Sequence, residues 1–130
     1  MFNKIMVAYD EGPVAAKALE MAIQLAKLSS GEIFIVSAYL DDDNPSRFEF
    51  LVKIQSEAAA KVTDQGITAH RRMESGARSL GKVIVKIAAD AEADVVVMGT
   101  NNRGAVGRLM FGSVSEYLLR NLSCPALVVK

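Results

Sequence analysis

Short apolar runs that alternate with helical patterns are the feature of this sequence that most constrains its fold. The runs occupy residues 5–9, 33–36, 95–98 and 125–129, and such unbroken runs are typical of parallel strands that are covered on both faces. The segments between them carry apolar residues at helical spacing. The sequence therefore predicts an α/β fold, a single doubly wound five-stranded parallel sheet with helices on both faces and right-handed crossovers.

The boundaries of the elements are marked by glycine, proline and polar residues. The first helix is expected to begin at Pro13 and to stop at Gly31. A second helix is expected to be capped near Asn44, to start at Pro45 and to end near residues 65–66. The remaining predicted elements are a weaker and more polar third strand over 67–74, a helix with an apolar stripe at Val83, Ile84, Ile87 and Ala88, and a short helix marked by Val114, Tyr117 and Leu118.

Length, charge and cysteine content narrow the class of protein. A chain of 130 residues with 51% hydrophobic residues predicts one domain over residues 1–130. Fifteen basic residues balance fifteen acidic ones. This balance argues against a protein that binds nucleic acids or membrane surfaces in general, because such a protein needs an electrostatic field of predominantly one sign. No apolar run approaches the about 18 residues that span a bilayer, no signal-peptide pattern precedes the first strand, and the one cysteine cannot form an internal disulfide. We therefore expect a cytoplasmic protein.

The clearest functional clue is the loop that follows the fourth strand. The run 95–98 leads into Gly99 and Gly104, and a helix is predicted to open at Gly112–Ser113. Backbone N–H groups and the positive end of a helix dipole converge in such a loop and favour phosphate. In doubly wound sheets the ligand lies beyond the carboxyl ends of the strands, where strand order reverses. If the first and fourth strands are neighbours, the tips at 10–12 and 99–100 face one crevice.

Two common nucleotide motifs do not match the sequence. Gly99 and Gly104 have the spacing of the two P-loop glycines, but Ala105 and Val106 follow where that motif needs lysine and then serine or threonine. A dinucleotide fingerprint would place three spaced glycines directly after the first strand, and the segment 10–13 lacks them. The sequence therefore predicts neither a Walker site nor an NAD site.

The loop resembles the signature of the universal stress protein family, which reads glycine, two residues, glycine, nine residues, then glycine with serine or threonine. Gly99 fills the first position, residues 103–111 supply the nine, and Gly112–Ser113 close the motif. Asn102 stands at the second glycine, and asparagine is the side chain that best replaces glycine at a positive φ.

The resemblance covers the whole chain. The segment Ile5–Asp10 is similar to the family's first strand and its ligand-facing aspartate, and Gly112–Glu116 and Cys124–Val129 are similar to its ending. The resemblance implies an adenine nucleotide alpha hydrolase-like fold and a homodimer paired through the last strand, Pro125–Val129. It also implies a stress-response regulatory protein.

The resemblance further implies a site for ATP, ADP or AMP, with or without Mg²⁺. Little or no hydrolysis is expected, because phosphoryl transfer to water needs a positioned nucleophile and the sequence shows no dedicated base. Asp10 would lie near the base or ribose, and the loop glycines and Ser113 would surround the phosphates. Arg103 and Arg108 screen the phosphates in one interpretation and are solvated in the other. The predicted nucleotide-binding residues are Ala8, Tyr9, Asp10, Ala38, Met98, Gly99, Asn102, Arg103, Gly104, Gly112, Ser113 and Val114.

Other functions remain open at this point. One is a dimeric stress protein that binds no nucleotide and acts as a scaffold for a protein partner. Another is a phosphoacceptor receiver domain, which Asp10, Glu11 and Thr100 would fit. The receiver ranks well behind, because the third strand ends at residues 73–76 without an aspartate and Lys130 has no helix after it.

Several of these residues also have a purely structural interpretation. Ser113 and Glu116 match a capping box that needs no ligand. His70 is expected on an exposed strand face, Cys124 is expected to pack as a small apolar residue, and Asp41–Asp43 is expected to be a solvated turn rather than a metal site.

Overall fold

The computed structural model describes residues 2–41, 43–76, 79–100 and 113–130. Strands and helices alternate along the chain. They are β1 (Lys4–Ala8), α1 (Ala15–Ser29), β2 (Glu32–Leu40), α2 (Pro45–Asp64), β3 (Ala69–Gly76), α3 (Leu80–Asp90), β4 (Val95–Gly99), α4 (Ser113–Asn121) and β5 (Ala126–Val129).

The five strands form one parallel sheet in the order β3-β2-β1-β4-β5. β1 is central: Met6 pairs with Phe34 of β2 on one side and with Val96 of β4 on the other. Strand order reverses at β1, because the chain builds outward to β2 and β3 and then returns to the other side for β4 and β5. The adjacency of the first and fourth strands, on which the predicted crevice depended, is confirmed.

Helices cover both faces of the sheet, as predicted. On one face Leu19 of α1 and Val62 of α2 are buried against Ile5 and Ile33. On the other face Ile87 of α3 and Leu118 of α4 are buried against Met6, Val96 and Met98. The continuous apolar strands are explained by this arrangement, because successive side chains enter two different cores.

Strand order also decides against the receiver domain. Receiver-type sheets follow the order 2-1-3-4-5, which places the third strand beside the first. Here β3 pairs only with β2 at the edge of the sheet. The end of β3 at Glu74–Gly76 is therefore separated from β1 by a whole strand, and no acidic cluster of the receiver kind forms between them.

The start of α2 agrees with the prediction, and the ends of α1 need correction. Asn44 caps α2 by accepting a hydrogen bond from the Ser46 amide at 3.0 Å, and Pro45 is its first residue. α1 begins at Ala15 rather than Pro13, since the Ala15 amide still donates to the Gly12 carbonyl in a turn (3.1 Å).

The glycine predicted to stop α1 has another role. Ser30 adopts the left-handed conformation that ends the helix, with φ 57°. Gly31 starts the return into the sheet, and a Cβ there would collide with the carbonyl oxygen of Phe2. The third strand likewise covers Ala69–Gly76 rather than 67–74, because Ile67 is buried in the core and its amide still donates to the Val62 carbonyl at the end of α2.

A buried polar network lies between α2 and the ends of β1 and β2. Gln55 is 1% exposed, and its amide donates to the Ser37 hydroxyl at 2.8 Å and to the Arg72 carbonyl at 3.0 Å. The Ser37 hydroxyl in turn donates to the Tyr9 carbonyl at 2.7 Å. One helix side chain thus links the carboxyl halves of three adjacent strands.

Removal of this link should destabilise the protein. Gln55→Met keeps the length of the side chain but leaves the Arg72 carbonyl and the Ser37 hydroxyl short of a donor, so we expect a loss of about 1–3 kcal/mol in the free energy of unfolding. Chemical denaturation measures this loss. The control is Gln24→Met on the exposed face of α1, which should change stability by less than about 0.5 kcal/mol. Equal effects of the two substitutions would contradict the network.

Candidate functional site

A crevice opens at the carboxyl ends of β1, β2 and β4, where strand order reverses. It encloses a cavity of about 360 Å³, which falls in the usual size range of small-molecule sites. Residues from both helical layers border it, including the start of α1, Arg47 of α2, Leu80 of α3 and Val114 of α4. The position is the one that doubly wound sheets use for ligands.

The floor of the crevice is apolar. Met98 at the end of β4 is 1% exposed and packs in the core with Ile84 of α3 and Leu118 of α4. Ala8 and Ala38, at the tips of β1 and β2, are small residues on the same face of the sheet. Small side chains at the strand tips leave room above a rigid floor, as a flat apolar group such as a purine base requires.

Asp10 stands at the mouth of the crevice, directly after β1. One carboxylate oxygen, Oδ1, accepts a hydrogen bond from the Gly12 amide at 2.8 Å, the geometry of a turn closed by an aspartate. A Cβ at residue 12 would lie 2.9 Å from that oxygen, so a larger residue there would require the Asp10 carboxylate to shift. Oδ1 therefore satisfies a backbone amide directly after the strand end. In the part of the chain that the structure describes, Oδ2 takes part in no hydrogen bond.

Two hydrogen bonds of the Tyr9 backbone fix this residue beside β2. Its amide donates to the Val36 carbonyl at 2.9 Å, and its carbonyl accepts from the Ser37 hydroxyl. Burial raises the pKa of the Tyr9 phenol, and the negative charges of Glu57 and Asp10 raise it further. The phenol therefore stays neutral through the physiological pH range and can act as a hydrogen-bond donor at the crevice.

The end of β4 is packed closely between two helices. A Cβ on Gly99 would lie 3.0 Å from the Cβ of Val14, so the strand end fits tightly against the start of α1. The Gly99 carbonyl accepts a hydrogen bond from the Ser115 hydroxyl at 3.2 Å. This bond fixes the first turn of α4 beside the tip of β4, where the positive end of the helix dipole faces the crevice.

An ion pair crosses the mouth of the crevice. Arg47, in the first turn of α2, contacts Glu11 of the loop after β1 at 2.7 Å, and both residues line the cavity. Sequence analysis placed Glu11 at the tip of the first strand but did not predict Arg47, Ser37 or Leu80. Arg47 lies in the sequence shortly after the end of β2. The signal that would have pointed to it is the general rule that ligands lie at the carboxyl ends of the strands.

The structure brings seven of the predicted site residues together around one cavity: Ala8, Tyr9, Asp10, Ala38, Met98, Gly99 and Val114. Four others, Asn102, Arg103, Gly104 and Gly112, lie outside the described residues. Ser113 is the first residue of α4, and its side chain lies outside the description, so the predicted capping box is described only at Glu116. That carboxylate accepts a hydrogen bond from Arg120 at 2.8 Å.

The remaining candidates have structural roles in the described residues. Asp43 closes a turn by accepting from the Leu40 amide at 2.7 Å. The ring of His70 on β3 stacks on the ring of Phe34 on the neighbouring strand β2, with ring centroids 4.4 Å apart. Cys124 packs against the α3–α4 core, and burial raises the pKa of its thiol, which keeps the thiolate scarce at neutral pH.

The described residues form neither a metal cluster nor a membrane-spanning helix. Across 2–41, 43–76, 79–100 and 113–130, no three histidine, cysteine, aspartate or glutamate side chains converge in a metal-binding arrangement. None of the helices in those ranges combines the length and the apolar character needed to cross a bilayer.

Known proteins share both the sequence pattern and the architecture. A universal stress protein of Thermus aquaticus is 31% identical over 137 residues, which cover 100% of this chain and 100% of that protein. The solved structure of a universal stress protein from Archaeoglobus fulgidus matches with a TM-score of 0.87 at 18% identity, covering 100% of this chain and 99% of that chain.

A second solved structure is described as a complex with a nucleotide. It is the universal stress protein from Archaeoglobus fulgidus in complex with dAMP, with a TM-score of 0.81 and 16% identity, and the match covers 100% of this chain and 98% of that chain. The model of the universal stress protein family matches residues 1–130. Because that match spans the whole chain and a relative above 30% identity is aligned throughout, the protein belongs to the universal stress protein family.

Proposed function

We propose that this protein is a cytoplasmic stress-response regulator that binds an adenine nucleotide in the crevice at the tips of β1 and β4. The observation that carries the proposal is the convergence of Asp10, Gly99 and the start of α4 on one cavity with an apolar floor. The base would lie on the floor, Asp10 Oδ2 would accept from a ribose hydroxyl, and the phosphates would face the amino end of α4.

Family membership and the dAMP complex of a structural neighbour support this proposal. The neighbour is 16% identical, so it supports the fold's capacity to hold a nucleotide rather than any particular contact. The finer assignment of Asn102, Arg103, Gly104, Gly112 and Ser113 to the phosphates stays a prediction. So does the participation of Mg²⁺ with the phosphates.

The proposed role is binding with slow hydrolysis or none. Phosphoryl transfer to water needs a group that positions the attacking water and a charge clamp on the phosphates. His70 is the single histidine of the sequence, and it stacks on Phe34 in the outer half of the sheet instead of lining the cavity. Asp10 already accepts from the Gly12 amide. The nucleotide would therefore act as a signal that biases the position of α4 and the face offered to a protein partner.

The nucleotide site is tested by thermal denaturation with ATP, ADP, AMP and GTP. A nucleotide at 100 times its dissociation constant should add about 2.7 kcal/mol of apparent stability. Asp10→Asn preserves the turn, since the amide oxygen still accepts from Gly12, but removes the charged acceptor, so affinity should fall about tenfold. Asp90→Asn, at the exposed end of α3, is the matched control and should bind like wild type. An unfolding temperature that no nucleotide changes, together with a purified protein that carries no nucleotide, would favour the alternative of a dimeric scaffold that binds none.

We also propose that the protein forms a homodimer through the edge of β5. The sheet has two edge strands. β3 carries Arg71, Arg72 and Glu74, charged side chains that discourage strand pairing. β5 is apolar throughout. The Pro125 and Val129 carbonyls accept from the amides of Val96 in β4 and of Thr100 directly after it, so in a parallel ladder the Ala126 and Val128 amides face the open edge. A second copy of β5 would satisfy them.

The dimer is tested with a proline that removes one outward amide. Ala126 is exposed, so Ala126→Pro spares the core and the β4 ladder while blocking edge pairing. Sedimentation at micromolar concentration should give a dimer for wild type and a monomer for Ala126→Pro. The control, Ala126→Ser, keeps the amide and should remain dimeric. A monomeric wild type, or a proline variant that dimerises equally well, would contradict this interface.

A further inference from the structure

Thr100 has a buried hydroxyl that finds no partner among the described residues. The residue follows the last residue of β4 and is 4% exposed. Its backbone amide is satisfied by the Val129 carbonyl at 2.8 Å. Its hydroxyl oxygen is buried and makes no hydrogen bond to the residues that the structure describes. A buried hydroxyl in that state destabilises the fold relative to a satisfied one, so its presence needs an explanation.

The hydroxyl belongs to the crevice. Thr100 lines the cavity, and strand alternation carries it onto the same face as Val96 and Met98, which pack against α3 and α4. The adjacent Gly99 carbonyl accepts from Ser115, which holds the first turn of α4 beside Thr100. A hydroxyl and the amino end of a nine-residue helix therefore border the same part of the cavity.

The other serine hydroxyls of the cavity are already occupied. Ser37 donates to the Tyr9 carbonyl and accepts from Gln55, and Ser115 donates to the Gly99 carbonyl. Within the described part of the cavity wall, Thr100 is thus the aliphatic hydroxyl that retains a proton to donate. An anionic oxygen is the acceptor that the neighbouring helix terminus favours.

We propose that the Thr100 hydroxyl donates a hydrogen bond to a phosphoryl oxygen of the bound nucleotide, beside the amino end of α4. This inference rests on the proposed nucleotide site and adds a phosphate-binding residue within it. Among the described residues the hydroxyl has no partner when the site is empty, and the phosphate would supply one. The contact therefore distinguishes a nucleotide from its nucleoside, which lacks the phosphoryl group.

Calorimetric titration with AMP and with adenosine tests the assignment, using Thr100→Val as an isosteric variant without the hydroxyl. We expect Thr100→Val to weaken AMP binding about tenfold or more and to leave adenosine binding unchanged. Thr100→Ser keeps the donor and should bind AMP within a few-fold of wild type. Thr68→Val, at an exposed threonine before β3, is the matched control and should not change either affinity.

Thermal denaturation without ligand supplies a second readout. Thr100→Val should unfold at the same temperature as wild type or higher, because the variant removes an unsatisfied polar group and keeps the volume. A large fall in that temperature would show that the hydroxyl has a structural partner and would overturn the assignment. Equal losses for AMP and adenosine, or no loss for AMP, would overturn it while leaving the nucleotide site intact. Absence of AMP and adenosine binding by wild type would reject the proposed function and this assignment together.

Discussion

The pairing of β1 with β4 is the constraint on which the rest of the structure depends. β2 and β4 lie on opposite sides of β1, so the connections that leave β1 and β4 turn to opposite faces of the sheet and a gap opens between them. Val7 pairs with Val97 at the centre of this junction, and both are fully buried. Asp10 and Gly99 follow within three residues of that pair, so their separation is set by the rigid core.

The surroundings of the crevice convert this topology into a defined shape. Close packing of Gly99 against Val14 fixes β4 relative to α1, while the contact of Gly81 with the Tyr117 ring brings α3 and α4 together beneath the opening. Gln55 holds the strand tips from the opposite face. Side-chain packing and buried hydrogen bonds therefore both restrain the strand ends and helices that carry the polar groups at the mouth of the crevice. Precise ligand recognition requires such support.

The sequence predicts what depends on local pattern. Runs such as Val95–Met98 predict buried strands, and Asn44 with Pro45 predicts a helix start, because these signals depend only on residues that are close in the sequence. Gln55 was not predicted, since a polar residue within a helix is normally taken as exposed and its partners lie 18 and 17 residues away. The Arg47–Glu11 pair depends on strand order and helix placement, which local pattern does not encode. Most of the motif loop, residues 101–112, lies outside the described residues and remains a prediction.

The central claim is that an adenine nucleotide occupies the crevice between β1 and β4. Titration of ¹⁵N-labelled protein with AMP, followed by amide resonances, tests it residue by residue. Saturable shifts are expected at Asp10, Ala38, Gly99 and Thr100, with little change at the far end of the sheet. Unmoved resonances, or shifts confined to the shallow groove lined by Glu20, Ile23, Lys61, Asp64 and Gln65 between α1 and α2, would contradict it.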